Sequence, residues 1–193
     1  QKELAYNAID HFIANPTPEG IENLNTIEVN FWKNRSKKSK DALLSIVVLN
    51  CNKAYFENKF GKINQAINSY EKARETYQNY RLANYDIIEY CMKPLGDLYT
   101  IIGDYDKAEN TIKHYYFVAD AEKNENHKIT AILNLSNVYQ SNGKSELAVD
   151  LLENTLKTVK LSAVQQGNLL TNLGNNYLLT AKELTIDPKI YYK

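Results

Sequence analysis

Three histidines and two cysteines are the residues of this chain best equipped for metal binding or nucleophilic attack, and their spacing supports neither. His11, His114 and His127 stand in no metal-ligand spacing with one another or with a cysteine pair. Cys51 and Cys91 lie in apolar helical stretches, where a cysteine behaves as a small core residue. Two cysteines are too few for a disulfide framework. No glycine-rich phosphate loop, nucleophile elbow or Cys-x2-Cys motif occurs. The chain is therefore expected to catalyse nothing itself and to hold no metal and no cofactor.

The polar residues that do show a pattern are amides. Asn50, Asn134 and Asn172 occur in similar local contexts, and three residues later come Lys53, Asn137 and Asn175, with Asp97 at the matching place in a fourth segment. Residues three apart share a helix face, so each helix would present a polar pair to one side. An asparagine amide both donates and accepts, and can grip the N–H and C=O of an extended peptide whatever its sequence. Each such bond is worth about 1 kcal/mol net, so a ladder of them with apolar anchors would support micromolar binding. Tyr90, Lys93, Thr130, Leu133, Gln140, Thr171 and Leu178 fall on the same predicted surface. The competing explanation is compositional. The chain has 24 asparagines, as an A- and T-rich genome would encode, so only asparagine at a recurring position counts as a signal.

The recurrence comes from the elements that carry these residues. Tyr55, Tyr99, Tyr139 and Tyr177 are separated by 44, 40 and 38 residues. The segments "MKPLGDLY", "ILNLSNVY" and "LTNLGNNY" align directly and "VLNCNKAY" more loosely. Small residues (Gly96, Ser136, Gly174) and Ala66, Ala108 and Ala148 would let paired helices approach closely. The tyrosines would fill space between neighbouring pairs. Gly103 and Gly143 follow their tyrosines by four residues, where one helix must turn into the next.

This pattern resembles the tetratricopeptide repeat (TPR) family, whose signature is W-x2-L-G-x2-Y followed by A-x3-F. Met92, Leu95, Gly96, Tyr99, Ala108 and Ile112 fill it in one repeat. Ile132, Leu135, Ser136, Tyr139, Ala148 and Leu152 fill it in the next, and Leu170, Leu173, Gly174 and Tyr177 begin it in the last. The period of about 40 exceeds the usual 34 or so, and resembles kinesin-light-chain-like repeats and the N-terminal arrays of bacterial CHAT-domain proteins. The resemblance implies an all-α fold, an α-α superhelix of antiparallel helix pairs. It also implies a concave surface made by the first helix of each pair. The expected function is a protein- or peptide-binding scaffold using Asn50, Lys53, Lys93, Asp97, Asn134, Asn137, Gln140, Asn172 and Asn175. The alternative is the regulatory arm of a larger enzyme or signalling protein, such as a CHAT peptidase, with its active domain beyond residue 193.

Helices are expected at about 2–14, 18–34, 39–58, 62–79, 83–102, 105–122, 126–142, 144–157 and 161–181. Residues 1–38 form an N-terminal pair, a cap or degenerate repeat, and 39–82, 83–124, 125–160 and 161–193 form four repeats. Thr17 is the expected N-cap of the second helix, with Pro18 at its first position. Phe31 and Trp32 are placed to cover the first repeat. Pro94 should kink its helix. Asp187 and Pro188 begin a helix that the chain does not complete, as in a fragment, and that end would offer apolar surface for self-association. With 23 basic and 23 acidic residues, the chain has no electrostatic footprint for nucleic acid. Even Lys33 to Lys40, with five positive charges, reads as a solvated connection. No apolar run is long enough for membrane insertion. The compartment stays open, cytoplasmic or exported.

Overall fold

Local capping chemistry sets most of the helix boundaries. The computed structural model describes residues 2–186, and every regular element among them is helical. Helix α1 spans Lys2–Ala14 and α2 spans Pro18–Lys33. As expected, the Thr17 hydroxyl accepts from the Gly20 N–H at 3.0 Å and Pro18 opens the helix. Ser39 caps α3 (Lys40–Lys59), and α4 follows at Ile63–Asn79. Asp104 caps α6 (Tyr105–Ala121) and Asn124 caps α7 (Glu125–Ser141). Helix α8 is Ser145–Thr158 and α9 is Ala163–Ile186. Ser162 and Gln165 exchange side-chain and backbone hydrogen bonds at the start of α9, a reciprocal cap. No helix among the described residues is long and apolar enough to cross a membrane. The expected unfinished helix at Asp187 and Pro188 lies outside the described residues.

Two expectations are corrected between residues 80 and 101. Helical structure begins at residue 87 rather than 83, because the end of α4 is closed by a Leu82 N–H to Tyr77 C=O bond of 3.0 Å. That closure puts Arg81 at φ 48°, and Asn84 follows at φ 64°, two left-handed residues that interrupt any helix. The kink expected at Pro94 takes the form of a widened π turn, Ile88–Met92, that runs into α5 (Lys93–Ile101). Lys93 N–H bonds back five residues to Ile88 C=O, just before the proline, which has no N–H to give.

The turns from α5 to α6 and from α7 to α8 share one geometry. Gly103 (φ 78°) and Gly143 (φ 67°) take the left-handed position, and the next residue bonds back to the signature tyrosine: Asp104 to Tyr99 at 2.9 Å, Lys144 to Tyr139 at 2.8 Å. The turn from α6 to α7 repeats it, Asn124 to Ala119 at 2.8 Å, with Lys123 at φ 55° in the glycine's place.

The chain divides into two compact units, Gln1–Leu98 and Tyr99–Lys193, so the division falls inside α5. In unit 1 the stripe Ala5, Ile9 and Phe12 of α1 and the stripe Ile21, Leu24 and Phe31 of α2 are buried. Helix α3 buries residues on nearly every side, and Phe12 meets Phe56 edge to face at 5.0 Å. Trp32 stacks on Tyr80 at 6.4 Å, so the second helix reaches the end of α4. In unit 2, Ile129, Ile132, Leu152, Leu169 and Leu173 form one buried cluster. Ala66, Ala108 and Ala148 are fully buried, as close helix approach requires, and so is Ser136. The helix that Gly174 is expected to admit lies outside the described residues, among which a Cβ there would meet nothing within 4 Å. The tyrosines depart from expectation: Tyr99 is buried, but Tyr55 and Tyr177 are half exposed. A phenol keeps its hydroxyl near water or a polar partner. Tyr139 finds one in Glu109 at 3.2 Å, and Tyr177 finds one in Glu153.

Candidate functional site

Asn50 and Lys53, expected on a ligand-facing surface, are instead placed inside unit 1. The Lys53 ammonium lies 2.8 Å from Glu28 Oε2 and 2.9 Å from Asn25 Oδ1, and the Asn50 amide donates to Glu28 Oε1 at 3.1 Å. Lys72 approaches the same carboxylate at 3.3 Å from the solvent side. Burial alone would raise the Glu28 pKa. The charge and hydrogen bond of Lys53, the charge of Lys72 and the Asn50 amide outweigh it, and the carboxyl titrates below its usual range. Nearby, burial holds buried Glu57 above that range, although it accepts from Ser69 Oγ at 2.7 Å. Helix α2 therefore occupies the polar face that α3 would have offered to a ligand, and these two residues hold the fold together.

Lys93 and Asp97 do reach an open site. They line a cleft of about 540 Å³ within unit 1, walled by α3, α4 and the segment from Tyr85 into α5. Tyr55 and Tyr90 are roughly half exposed there, and Tyr85 stacks on Tyr90 with centroids 5.5 Å apart. Lys93 donates to Glu89 at 2.6 Å, one helical turn away. Asp97 is exposed, yet the surrounding protein raises its pKa, and Lys93 only partly opposes this. Tyr90, Lys93 and Asp97, expected on one surface, all line this cleft, and so do Asn52, Tyr85 and Glu89, which were not expected there. Glu89 had a readable signal, four residues before Lys93 on one face. Tyr85 had none, because it lies in the irregular segment before the π turn.

In unit 2 the predicted amides are brought together on α7 and α9. Asn172 donates to Asn137 Oδ1 at 3.4 Å, bridging the two helices. Asn137 and Asn175 are exposed, and Asn172 and Gln140 are half-buried. Asn134 is drawn inward and donates to the buried Tyr115 hydroxyl at 3.0 Å. Leu133, expected on the same surface, packs against the buried cluster.

No family model matches the sequence, and no curated protein matches it. Solved structures do. Nearly identical TPR-like repeats from a Podosopora anserina protein described as a kinesin light chain align with a TM-score of 0.65 at 17% identity, covering 95% of this chain and 87% of that one. BtubC (BKLC) from P. vanneervenii aligns with a TM-score of 0.63 at 14% identity, covering 94% and 83%. The fold is a TPR-like helical repeat. At these identities the likeness concerns architecture alone. In the TPR-like arrangement α3, α5, α7 and α9 are the first helices of their pairs, and the cleft and the amide cluster both involve those helices.

Neither cysteine is placed for nucleophilic chemistry. Cys51 and Cys91 are both buried, and the Cys91 thiol donates to Tyr70 C=O at 3.2 Å. Burial first, then Cys51, pushes the Cys91 pKa well up, the reverse of what a nucleophilic thiolate needs. His11 and His114 are exposed, and among the described residues no group of three or more His, Cys, Asp or Glu is placed to hold a metal ion.

Proposed function

We propose that this TPR-like scaffold binds an extended segment of a partner protein along the first helices of its repeats. The observation that carries the reading is the Asn137–Asn172 contact, which sets two amides from adjacent first helices side by side with Asn175 exposed one turn further on. Amides aligned across stacked helices match the alternating donors and acceptors of an extended backbone. Such a surface selects for chain conformation more than for side-chain identity, so apolar or charged anchors elsewhere must supply specificity.

The test is panning of a displayed random-peptide library on the whole chain, followed by affinity measurement with the selected peptides. Alanine at Asn137, Asn172 and Asn175 together should weaken binding at least about tenfold, the loss of one to two net hydrogen bonds. Unchanged affinity in this triple variant would overturn the assignment. Asn134 is left intact because its amide serves the buried Tyr115 hydroxyl.

A further inference from the structure

The tyrosine-lined cleft of unit 1 has a composition that the amide surface lacks. Four of its lining residues are tyrosines, two are carboxylates and one is a lysine. The lysine is already taken, since Lys93 contacts Glu89 at 2.6 Å. Asp97 makes no hydrogen bond or ion pair among the described residues beyond its longer-range attraction to Lys93. One carboxylate is thus left without a close counter-charge in a site about 540 Å³ in volume whose walls are largely aromatic.

Aromatic faces carry negative quadrupole potential and attract cations, most strongly where water is thinned out. This chain already uses that attraction: the Lys59 ammonium lies 5.4 Å from the ring centre of Tyr55, one of the cleft's own tyrosines, and outside the cleft Lys107 lies 5.3 Å from that of Tyr99. An anionic ligand would face Asp97, Glu89 and four electron-rich rings, with Lys93 already neutralised by Glu89 and Lys59 held over the Tyr55 ring. A purely apolar ligand would leave the Asp97 carboxylate desolvated and unpaired. A cation suits both features.

We propose that the unit 1 cleft receives a cationic side chain, arginine or lysine, of a partner protein, with tyrosine faces as its walls and Asp97 as its counter-charge. The proposal rests on the reading of this chain as a partner-binding scaffold, and all of its residues lie in unit 1. It is independent of the unit 2 residues.

The experiment titrates the whole chain with acetyl-Ala-Ala-Arg-Ala-Ala-amide and with the same peptide carrying citrulline, which keeps the shape and removes the charge. Ring signals of isotope-labelled tyrosine report occupancy. The arginine peptide should shift the Tyr55, Tyr85 and Tyr90 signals saturably, with the citrulline peptide weaker by about tenfold or more. Asp97→Asn should bring the arginine peptide down to the citrulline level. Tyr90→Leu should weaken it about tenfold while Tyr90→Phe stays within about twofold, because the ring face and not the hydroxyl holds the cation. Both residues are exposed, so folding is not at stake. Equal binding of the two peptides, unmoved ring signals, or an Asp97→Asn variant indistinguishable from the parent would overturn the proposal. If the two peptides bind equally and both are lost in the Asn137, Asn172 and Asn175 triple variant, the cation site falls and peptide binding stands. If neither moves a ring signal, the cation site falls and the panning result alone decides the wider reading.

Discussion

The Lys53 ammonium and the Glu28 carboxylate meet at 2.8 Å with both side chains shielded inside unit 1. Neither charge has water to fall back on. Glu28→Ala should therefore destabilise the chain by about 3–5 kcal/mol, the cost of leaving a buried partner charge unpaired. Replacing both, Glu28→Leu with Lys53→Met, should recover most of that loss, since well-packed apolar side chains of similar size often match or better a buried pair. Chemical denaturation of the three proteins decides the matter. A double variant no more stable than Glu28→Ala would show that the hydrogen bonds to Asn25 and Asn50, and not the ion pair, carry the stability.

The same contact sets an acid dependence. The Glu28 pKa is lower in the folded chain than its ordinary value of 4.5. Its contribution is present above that ordinary value and is lost as pH falls through the lowered one. Glu57 has the opposite sign: its pKa is raised, so its contribution is present below 4.5 and is lost as pH rises through the raised value. Stability measured from neutral pH into acid should fall less steeply in the Glu28→Leu, Lys53→Met double variant than in the parent. Glu57→Gln should remove the opposing slope. Parallel curves for all three would refute the assignment.

Helix positions were legible because caps and apolar spacing are local properties. Thr17, Ser39, Asp104 and Asn124 start helices by accepting from a backbone N–H three residues on. The irregular stretch from Arg81 to Asp86 was not legible, because nothing about an arginine announces a left-handed conformation. Asn50 and Lys53 were misplaced for a different reason. Spacing says which residues share a face, but not what covers that face. The overlooked signal is Glu28, which sits in the α2 stripe of Ile21, Leu24 and Phe31 where an apolar residue belongs. A carboxylate at a core position requires a buried cation, and Lys53 is that cation. On α7 and α9, with no such covering helix among the described residues, Asn137 and Asn175 remain exposed as expected.

Lys123 holds a left-handed backbone at φ 55° in the same kind of turn where Gly103 and Gly143 do so without a side chain. Lys123→Gly should stabilise the chain by about 1 kcal/mol, and Gly103→Ala should destabilise it by about as much. Thermal unfolding resolves shifts of this size. A destabilising Lys123→Gly would mean that the flexibility gained by the unfolded chain outweighs the strain removed.

The amides of unit 2 should separate by role. Asn134→Ala removes a hydrogen-bond donor to the buried Tyr115 hydroxyl and should cost about 1–2 kcal/mol, with the reference set by Asn175→Ala at an exposed site, within about 0.5 kcal/mol of the parent. The two single variants compared by thermal unfolding suffice. Equal losses would place Asn175 in the structural framework and remove it from the proposed binding surface.

The π turn at Ile88–Met92 amounts to an insertion that the helix has absorbed without breaking. Deleting one residue there would let ordinary helical bonding resume, and everything upstream in that element would swing by about 100° around the axis. Tyr85 and Glu89 would then point elsewhere while Lys93 and Asp97 stayed put. A length polymorphism in this one turn would thus reset which side chains line the cleft, and with them the ligands it admits, without any substitution.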